Sequence, residues 1–292
     1  FVNQYAGWVK RQTLETVQDT IQRIVGDQGR VIVTQHPDDV YLALGDFELN
    51  DITALVPVGG DGTLSNVLSA ACKRWGVEKL PTFLPLLAGT MNMIALEARG
   101  RREEPLQTLV RVIEASRNKQ RLDFVSRGII LSDCGRAGFV AGMGIATRFL
   151  AHYNAAGAGF WQAFRSIVHY SRSVLGDGRS AKVLFEPTNV VVQIDDQPLS
   201  AAQSINVLMG LTINTLPLGF HIGITSAHNG MTLLFGKANA LPLIAGLPLL
   251  HRGFLPKSMG VKRITARKIT MSFATPQSWQ MDGDILPSVS QL

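Results

Sequence analysis

Two stretches of the chain each pass from an apolar run through a glycine turn into a helical pattern. In the first, VPVGGDGTLSNVLSA at residues 56–70, three of four consecutive positions are glycine. In the second, LPLLAGTMNMIALEA at residues 84–98, the turn is Gly89 followed by Thr90. Strands that alternate with helices along a chain form parallel sheets covered by helices. The first third of the chain is therefore predicted to be an α/β region.

Apolar spacing and β-branched runs supply the other elements of this region. RVIVT at residues 30–34 and TALVPV at residues 53–58 have the composition of buried strands, and FVNQYAG opens the chain as a short apolar run. Helices are predicted at residues 13–25, from about 64 to 75, from about 92 onward and up to about 118.

After about residue 120 the pattern changes to short β-rich runs separated by Gly, Asn, Asp and Pro. These runs are KVLFEP, NVVVQID, INVLMGLTIN, MTLLFGK, RITARKITMSF and WQMDGDIL. They are typical of an antiparallel sheet, interrupted by a helical insert at about 160–175. The predicted fold is an α/β N-terminal domain with a parallel sheet in residues 1–120, followed by a mainly antiparallel β-rich second domain in residues 121–292. A return of the C-terminal tail to the first domain is left open.

Composition limits the partners and the compartment. The net charge of +6 suits an anionic partner such as a nucleotide or an acidic membrane surface. The basic residues are scattered without interleaved aromatic residues, which argues against nucleic-acid binding. Cys72 and Cys134 lie far apart, so neither a zinc site nor a disulfide framework is predicted, and a reducing compartment is expected. Apolar runs are too short for a conventional membrane span.

The first glycine turn has the features of a phosphate site. Ligands of open parallel sheets lie beyond the carboxyl ends of the strands, and a helix N-terminus binds anions through its free N–H groups and its dipole. Three explanations for the aspartate in this turn stay open: a divalent cation beside the phosphates, a nearby proton transfer, or a helix N-cap. The predicted phosphate ligands are Gly59, Gly60, Asp61, Gly62 and Thr63.

VGGDGT followed by a helix and then by PLLAGTMN resembles the diacylglycerol-kinase-like lipid kinases, the superfamily that includes sphingosine and ceramide kinases. GGDGT alone is shared with NAD kinases and phosphofructokinases, whereas the L-x-x-GT-x-N pattern at residues 86–92 is similar to the lipid-kinase "PLGTxN" loop. Nearly the whole chain shares in the resemblance, through FVNQYAG, RLDF, FVAGMGIAT, ITSAHNGMTLLF and QMDGDIL. It implies an NAD-kinase/diacylglycerol-kinase-like fold.

The resemblance also implies where the nucleotide lies. ATP phosphates would contact residues 59–63 and the second turn, at Gly89, Thr90 and Asn92. Asn3, at the family's opening "NPxxG" motif, and Thr34, at the end of the second strand, would lie near the nucleotide.

Catalytic and metal positions follow from the same resemblance. The acid/base Glu of the family's "DGE" falls on Asp284, and Asp123 is a second candidate carboxylate. ATP is expected to bring Mg²⁺, for which the family's metal-associated Asp falls on Asn229 and Asp61 is the other candidate ligand.

Several positions depart from the family pattern. The acidic residue that contacts the head group in sphingosine kinases falls near Ala146, which weakens a sphingoid substrate. The other departures are Gln4, Asn66 and Met93, with Asp284 one methylene shorter than Glu.

Two segments have competing interpretations. MDGD at residues 281–284 also fits an Asp-Gly hairpin turn. The predicted helix at 160–175 either contacts an anionic bilayer or packs its apolar face on the second sheet. Its apolar positions are Trp161, Phe164 and Val168, and its basic positions are Arg165, His169 and Arg172. LPLLHRGFLPK at residues 247–257 is a second candidate for membrane contact.

The resemblance implies an ATP- and Mg²⁺-dependent kinase that phosphorylates a primary hydroxyl of a membrane lipid such as diacylglycerol. Its expected location is cytoplasmic and peripheral to an anionic membrane, with a homodimer left open. The alternatives are a sphingoid or ceramide kinase, an NAD-type kinase of a soluble metabolite, and a non-catalytic relative that binds lipid or nucleotide.

Overall fold

The computed structural model describes residues 1–100, 102–157, 159–198, 201–223 and 230–292. These residues form two units. One unit contains residues 1–126 and 134–137, and the other contains residues 127–133 and 138–292.

Short parallel strands form the centre of the first unit. One sheet has the order β2-β1-β4-β6, and β3 pairs with β5 in a second sheet. Every one of these pairs is parallel, as the alternating pattern predicts. The strands are β1 (Val2–Asn3), β2 (Val33–Thr34), β3 (Ala54–Leu55), β4 (Val58–Gly59), β5 (Thr82–Phe83) and β6 (Leu86–Leu87).

Proline divides the strand predicted at residues 53–58. The structure has β3 and β4 on either side of Pro57, because proline has no N–H to donate to a strand ladder. Its carbonyl oxygen still accepts a hydrogen bond from the N–H of Leu86 at 2.8 Å. The strand predicted at residues 30–34 is likewise shorter, with only Val33–Thr34 in the sheet.

Five helices are described in the first unit, and they form two apolar cores. The helix predicted at residues 13–25 is confirmed, with the Thr13 side chain accepting a hydrogen bond from the Thr16 N–H as its N-cap. One core combines apolar residues of α1, α5 and the larger sheet, and the other combines those of α2, α3 and β3. The helices are α1 (Leu14–Val25), α2 (Pro37–Leu44), α3 (Asp61–Trp75), α4 (Met93–Arg99) and α5 (Pro105–Arg117).

The second unit is built on a nine-stranded antiparallel sheet. Its order is β11-β10-β18-β9-β13-β16-β17, with β12 also pairing with β10 and β19 with β18. This sheet and the parallel sheet of the first unit confirm the predicted fold class. Its strands are β9 (Val140–Gly144), β10 (Thr188–Ile194), β11 (Gln197–Pro198), β12 (Gln203–Ile205), β13 (Val207–Leu211), β16 (Met231–Gly236), β17 (Val261–Ala266), β18 (Ile269–Met281) and β19 (Asp284–Gln291).

Leu292 and Met271, which lies in β18 of the nine-stranded sheet, exchange two backbone hydrogen bonds. The two-stranded sheets are β7 (Ile130–Leu131) with β8 (Ala137–Gly138), and β14 (Thr215–Leu216) with β15 (Phe220–His221).

The helical content of the second unit exceeds the prediction. The insert predicted at about 160–175 is confirmed as α7. KVLFEP, predicted as a strand, is wrong: its first residues lie in α8, which buries Ala181 and Leu184 at helical spacing. Val183 between them is exposed, so the β-branched residue at this position is not evidence of a buried strand. The helices are α6 (Ile145–Ala155), α7 (Phe160–Leu175), α8 (Arg179–Leu184), α9 (Ala240–Ala245) and α10 (Leu247–His251).

No helix in the described part of the chain is both long and apolar enough to cross a membrane.

Candidate functional site

The GGDGT motif forms the end of a strand and the first turn of α3. This helix begins at Asp61, three residues earlier than predicted, with Gly60 as an N-cap that has no side chain to accept a hydrogen bond. The first intrahelical bond runs from the Leu64 N–H to the Gly60 carbonyl at 3.1 Å. The N–H groups of Gly62 and Thr63 precede it and have no partner within the helix. This end of the helix is suited to an anion.

The two glycine turns are in backbone contact. A Cβ atom added to Gly89 would overlap Cα of Gly60 and lie 2.8 Å from its backbone nitrogen. A Cβ atom at Gly59 would overlap the side chain of Thr63. Glycine is therefore required sterically at positions 59 and 89, because a side chain at either would displace Thr63 or separate the two turns.

Asn92 closes the second turn. Its backbone is left-handed, with φ of 52°, a conformation that asparagine tolerates better than most residues. Its Oδ1 accepts a hydrogen bond from the Gly89 N–H at 3.0 Å, and its Nδ2 donates to the Gly89 carbonyl at 2.6 Å. The buried Asn92 side chain thus fixes the shape of the turn, while Thr90 at its tip is exposed.

Asp61 joins the first turn to the second. Its Oδ2 accepts a hydrogen bond from the Met93 N–H at 3.0 Å, and its Oδ1 accepts one from the Ile94 N–H at 3.2 Å. The carboxylate therefore caps α4, not α3, so the N-cap interpretation named the wrong helix. Burial raises the pKa of Asp61, and the hydrogen bonds from Met93 and Ile94 oppose part of that rise.

This environment predicts an unusual pH dependence of stability. The folded protein holds the Asp61 proton to a higher pH than the unfolded chain, whose ordinary pKa is 3.8. The Asp61 contribution to the free energy of unfolding therefore falls as the pH rises from that value through the raised pKa, and is constant above it. We expect Asp61→Asn to remove this slope in urea unfolding measured from about pH 4 to neutral pH.

Asp39 provides the control of opposite sign. Hydrogen bonds from the backbone N–H groups of His36 and Gln35 lower the pKa of Asp39, so its contribution is present above pH 3.8 and is lost as the pH falls. Asp39→Asn should therefore remove a slope of the other sign. A wild-type stability advantage over Asp61→Asn that grows with pH, as expected for Asp39, would contradict this account of Asp61.

Asn3 and Thr63 meet at the mouth of the first turn. The Asn3 Nδ2 donates to the Thr63 Oγ1 at 2.9 Å, which leaves the hydroxyl proton of Thr63 available to another acceptor. Thr34 lies beside Asn3 in the strand register, but its buried hydroxyl donates to the Val2 carbonyl at 3.4 Å. The structure thus brings Asn3 to the glycine turn and directs the Thr34 hydroxyl into the sheet.

A cavity of about 250 Å³ lies beside the second glycine turn. Gly89 and Asn92 line it together with Arg11 and Arg102 and with Glu103 and Glu104. The formal charges of these four ionisable side chains cancel, so the cavity lining by itself selects neither an anion nor a cation. Neither arginine was predicted, because both lie outside the glycine motifs. The available signals were that Arg11 follows β1 in the chain and that Arg102 precedes α5.

Asn66 explains one departure from the family pattern. Its Oδ1 accepts a hydrogen bond from the Arg136 Nη1 at 2.8 Å, within the same unit. The neighbouring Ser65 donates its hydroxyl to the Ala137 carbonyl at 2.7 Å. These hydrogen bonds hold residues 134–137 against α3, so Asn66 has a structural role.

The two aspartates of MDGD have different environments. Asp282 and Gly283 have positive φ values of 48° and 93° and form the hairpin turn between β18 and β19. The buried Asp282 carboxylate accepts hydrogen bonds from the N–H groups of Phe139, at 3.0 Å, and Val140, at 2.8 Å. Asp284 is the first residue of β19, opposite Met281, and is only partly buried. Asp282 is thus structural, and Asp284 is the more accessible carboxylate.

The two candidate catalytic carboxylates belong to different units. Asp123 is exposed in a segment of the first unit without helix or strand, whereas Asp284 belongs to the second. Asn229, the implied metal position, lies outside the described residues. Within the described ranges, no three His, Cys, Asp or Glu side chains form a group that would hold a metal ion.

Comparisons with known proteins agree with this geometry. Residues 1–125 match the family model of the diacylglycerol kinase catalytic domain. A comparison with curated proteins finds no significant match.

Two solved structures from Bacillus anthracis str. Sterne have a similar fold. One is of a candidate diacylglycerol kinase, with a TM-score of 0.69 and 15% identity over 100% of this chain and 90% of that chain. The other is of a diacylglycerol kinase, with a TM-score of 0.62 and 14% identity over 100% of this chain and 92% of that chain. Residues 1–125 thus match the diacylglycerol kinase catalytic domain, and the whole chain shares the fold of these two solved structures.

Proposed function

We propose that this lipid kinase transfers the γ-phosphoryl group of ATP to a primary hydroxyl of a membrane lipid such as diacylglycerol. One observation carries the proposal: in the catalytic domain, two glycine turns touch through their backbones at the uncapped N-terminus of α3. ATP is the co-substrate that membership of a kinase family implies.

The residues present fit a triphosphate. The N–H groups of Gly62 and Thr63 precede the first intrahelical bond, and the Thr63 hydroxyl has a proton to donate. Backbone N–H groups and hydroxyl groups are partners that phosphate oxygens take in proteins.

Mg²⁺ would reach the site with the nucleotide. Mg²⁺ is usually held by one or two carboxylates together with substrate phosphates and water, not by an all-protein cage. Asp61 is the carboxylate at the glycine turn, and it retains lone pairs beyond its bonds to Met93 and Ile94. The ion would offset negative charge on the phosphates during transfer.

In the proposed reaction, a bond forms between the lipid oxygen and the γ-phosphorus as the bond to the bridging oxygen of ADP breaks. The hydroxyl proton passes to a carboxylate, for which we propose Asp284 on the family resemblance. Binding and orientation by the glycine turns would supply most of the rate, since phosphoryl transfer depends chiefly on positioning and charge stabilisation.

Ala146 supports a glycerolipid over a sphingoid acceptor. It is the second residue of α6, at the position where the resemblance places the head-group aspartate of sphingosine kinases. An alanine there offers no carboxylate to a sphingoid amine.

The proposal is tested with γ-labelled ATP and a panel of lipids in mixed detergent micelles. We expect a labelled product with diacylglycerol and Mg²⁺, and none when a chelator is added. Label in a sphingoid base or in ceramide would show that this lipid, and not diacylglycerol, is the acceptor. Label in a soluble acceptor such as NAD would overturn the proposal of a membrane-lipid substrate. ATP binding without labelled lipid under any metal condition would show a non-catalytic relative.

A further inference from the structure

Small residues of α7 are buried, and two of its aromatic residues are exposed. Ala163, Ser166 and Ser173 are the buried small residues. Trp161 and Phe164, by contrast, are 70% and 51% exposed. Of the two interpretations left open for this helix, packing of Trp161 and Phe164 on the second sheet is therefore not observed. The helix packs on α6, α8 and α9.

Basic side chains lie beside the exposed aromatic residues. Arg165, His169 and Arg172 are exposed on α7 at a helical spacing that places them in one row. The helix has no Asp or Glu, and Asp177 is the only acidic residue in the sequence from 145 to 185. Its Oδ1 accepts hydrogen bonds from Ser173 Oγ and the Arg179 N–H, both at 3.2 Å.

The helices that pack near α7 also combine exposed apolar residues with exposed basic residues. α8 and α9 pack against α7, and α10 packs against α9. No acidic residue occurs in the sequence from 240 to 260. Further exposed apolar residues on these helices and after α10 are Val183, Leu241, Leu249 and Phe254. Further exposed basic residues are Lys182, Arg252 and Lys257.

We propose that the exposed face of α7, with Trp161, Phe164, Arg165 and Arg172, is the surface that binds an anionic bilayer. Tryptophan and arginine suit a membrane interface because each combines an apolar body with a polar group that reaches water or lipid head groups. A helix with this composition lies in the plane of the interface. The inference rests on the proposed function insofar as a kinase of membrane lipids must reach its acceptor in a bilayer.

A second copy of the chain is the less favourable occupant. In a two-fold dimer through this face, the same patch would meet itself. The arginines of α7 would then approach those of the partner, and α7 has no carboxylate to pair with them. An anionic bilayer supplies that negative charge and accommodates the aromatic rings.

The test is co-sedimentation of the full chain with vesicles, without ATP. We expect binding to phosphatidylcholine vesicles that contain phosphatidylglycerol, and little binding to phosphatidylcholine alone. Each Arg near an anionic surface strengthens binding about fivefold, so Arg165→Gln with Arg172→Gln should weaken it roughly 25-fold. Trp161→Ala with Phe164→Ala should weaken it at least about tenfold.

Matched controls come from the first unit. Leu42 is 71% exposed on α2, and Arg23 is exposed on α1. Leu42→Ala and Arg23→Gln should leave vesicle binding within about twofold of wild type, because neither residue lies on the proposed surface. Equal losses in these controls, or full binding by both α7 variants, would overturn the proposal. So would equal binding to neutral and anionic vesicles.

Trp161 also gives a direct spectroscopic readout. Brominated lipids should quench its fluorescence, because the other three tryptophans are partly or fully buried. Trp161→Phe should remove the quenching while retaining most of the binding. Vesicle binding with no quenching of Trp161 would place contact elsewhere and contradict the proposal.

The outcome is separable from that of the proposed function. The α7 variants should lose kinase activity on vesicles but keep it on detergent micelles, where docking to a bilayer is not needed. If wild-type protein phosphorylates no lipid in micelles, the proposed function fails, whereas the vesicle-binding and quenching experiments still decide the docking surface. Concentration-dependent dimerisation abolished by Trp161→Ala with Phe164→Ala would overturn the bilayer in favour of a second copy.

Discussion

Gly89→Ala should greatly raise the dissociation constant for ATP while the protein still folds. The added Cβ would overlap Cα of Gly60, so the two glycine turns must separate. We expect the dissociation constant for ATP to rise on the order of 100-fold, which corresponds to the loss of two charge-assisted hydrogen bonds of about 1.5 kcal/mol each. Overpacking should also lower the free energy of unfolding by about 1–3 kcal/mol. Calorimetric titration and urea unfolding measure the two quantities.

Val40→Leu separates loss of binding from loss of stability. Val40 is buried in the core between α2 and α3, where an added methylene also overpacks. This variant should lose a similar amount of stability yet bind ATP as the wild type does. If Gly89→Ala binds ATP within threefold of wild type, the second turn has no role in the nucleotide site.

Asp284→Asn should lower kcat by about 10²–10⁴-fold, the range expected when a positioned general base is removed. Asparagine keeps the size of the side chain but cannot accept the hydroxyl proton. The KM for ATP should change little, because the proposed phosphate contacts come from the backbone and hydroxyl groups of the glycine turns and not from Asp284. Asp284→Glu, which restores the residue of the family motif, should retain at least about a tenth of the wild-type kcat. Steady-state kinetics in micelles provides both parameters.

The matched control for Asp284 lies in another hairpin of the same sheet. Asp196 is exposed in the turn between β10 and β11, with positive φ like Asp282. Its carboxylate lies 3.5 Å from the Lys268 ammonium group at the surface. Asp196→Asn should leave kcat unchanged. A kcat for Asp284→Asn within threefold of the control would assign the proton transfer to another group, and Asp123→Asn would then be the next variant to measure.

Periodicity predicted the architecture but not the lengths of the elements. The alternation of apolar runs and helical patterns led to a parallel sheet, since few other arrangements bury such runs. The strands proved short because Pro57 interrupts a ladder that composition alone extends through it. α2 was missed although Pro37 at its first position and the Asp39 capping interaction are recognisable start signals. α8 was assigned to a strand because KVL has no helical period over three residues.

Contacts distant in sequence account for what was missed at the site. GGDGT and AGTMN pointed to two turns at one sheet edge, and glycine was expected there for close backbone approach. Asp61 caps α4 through the N–H groups of Met93 and Ile94, which lie 32 and 33 positions later in the sequence. No local sequence pattern indicates a contact over that separation. Hydrophobicity alone left it open whether the apolar positions of α7 pack on the second sheet or contact a bilayer, whereas the structure buries Ala163, Ser166 and Ser173 instead.

The central claim is that backbone amides of the first glycine turn hold the phosphates of ATP. A crystal structure of the full chain with a non-hydrolysable ATP analogue and Mg²⁺ tests it most directly. We predict phosphate oxygens about 2.7–3.2 Å from the backbone nitrogens of Gly62 and Thr63, with a further contact to the Thr63 hydroxyl. An analogue bound with its phosphates away from this turn, at concentrations that saturate the enzyme, would contradict the account.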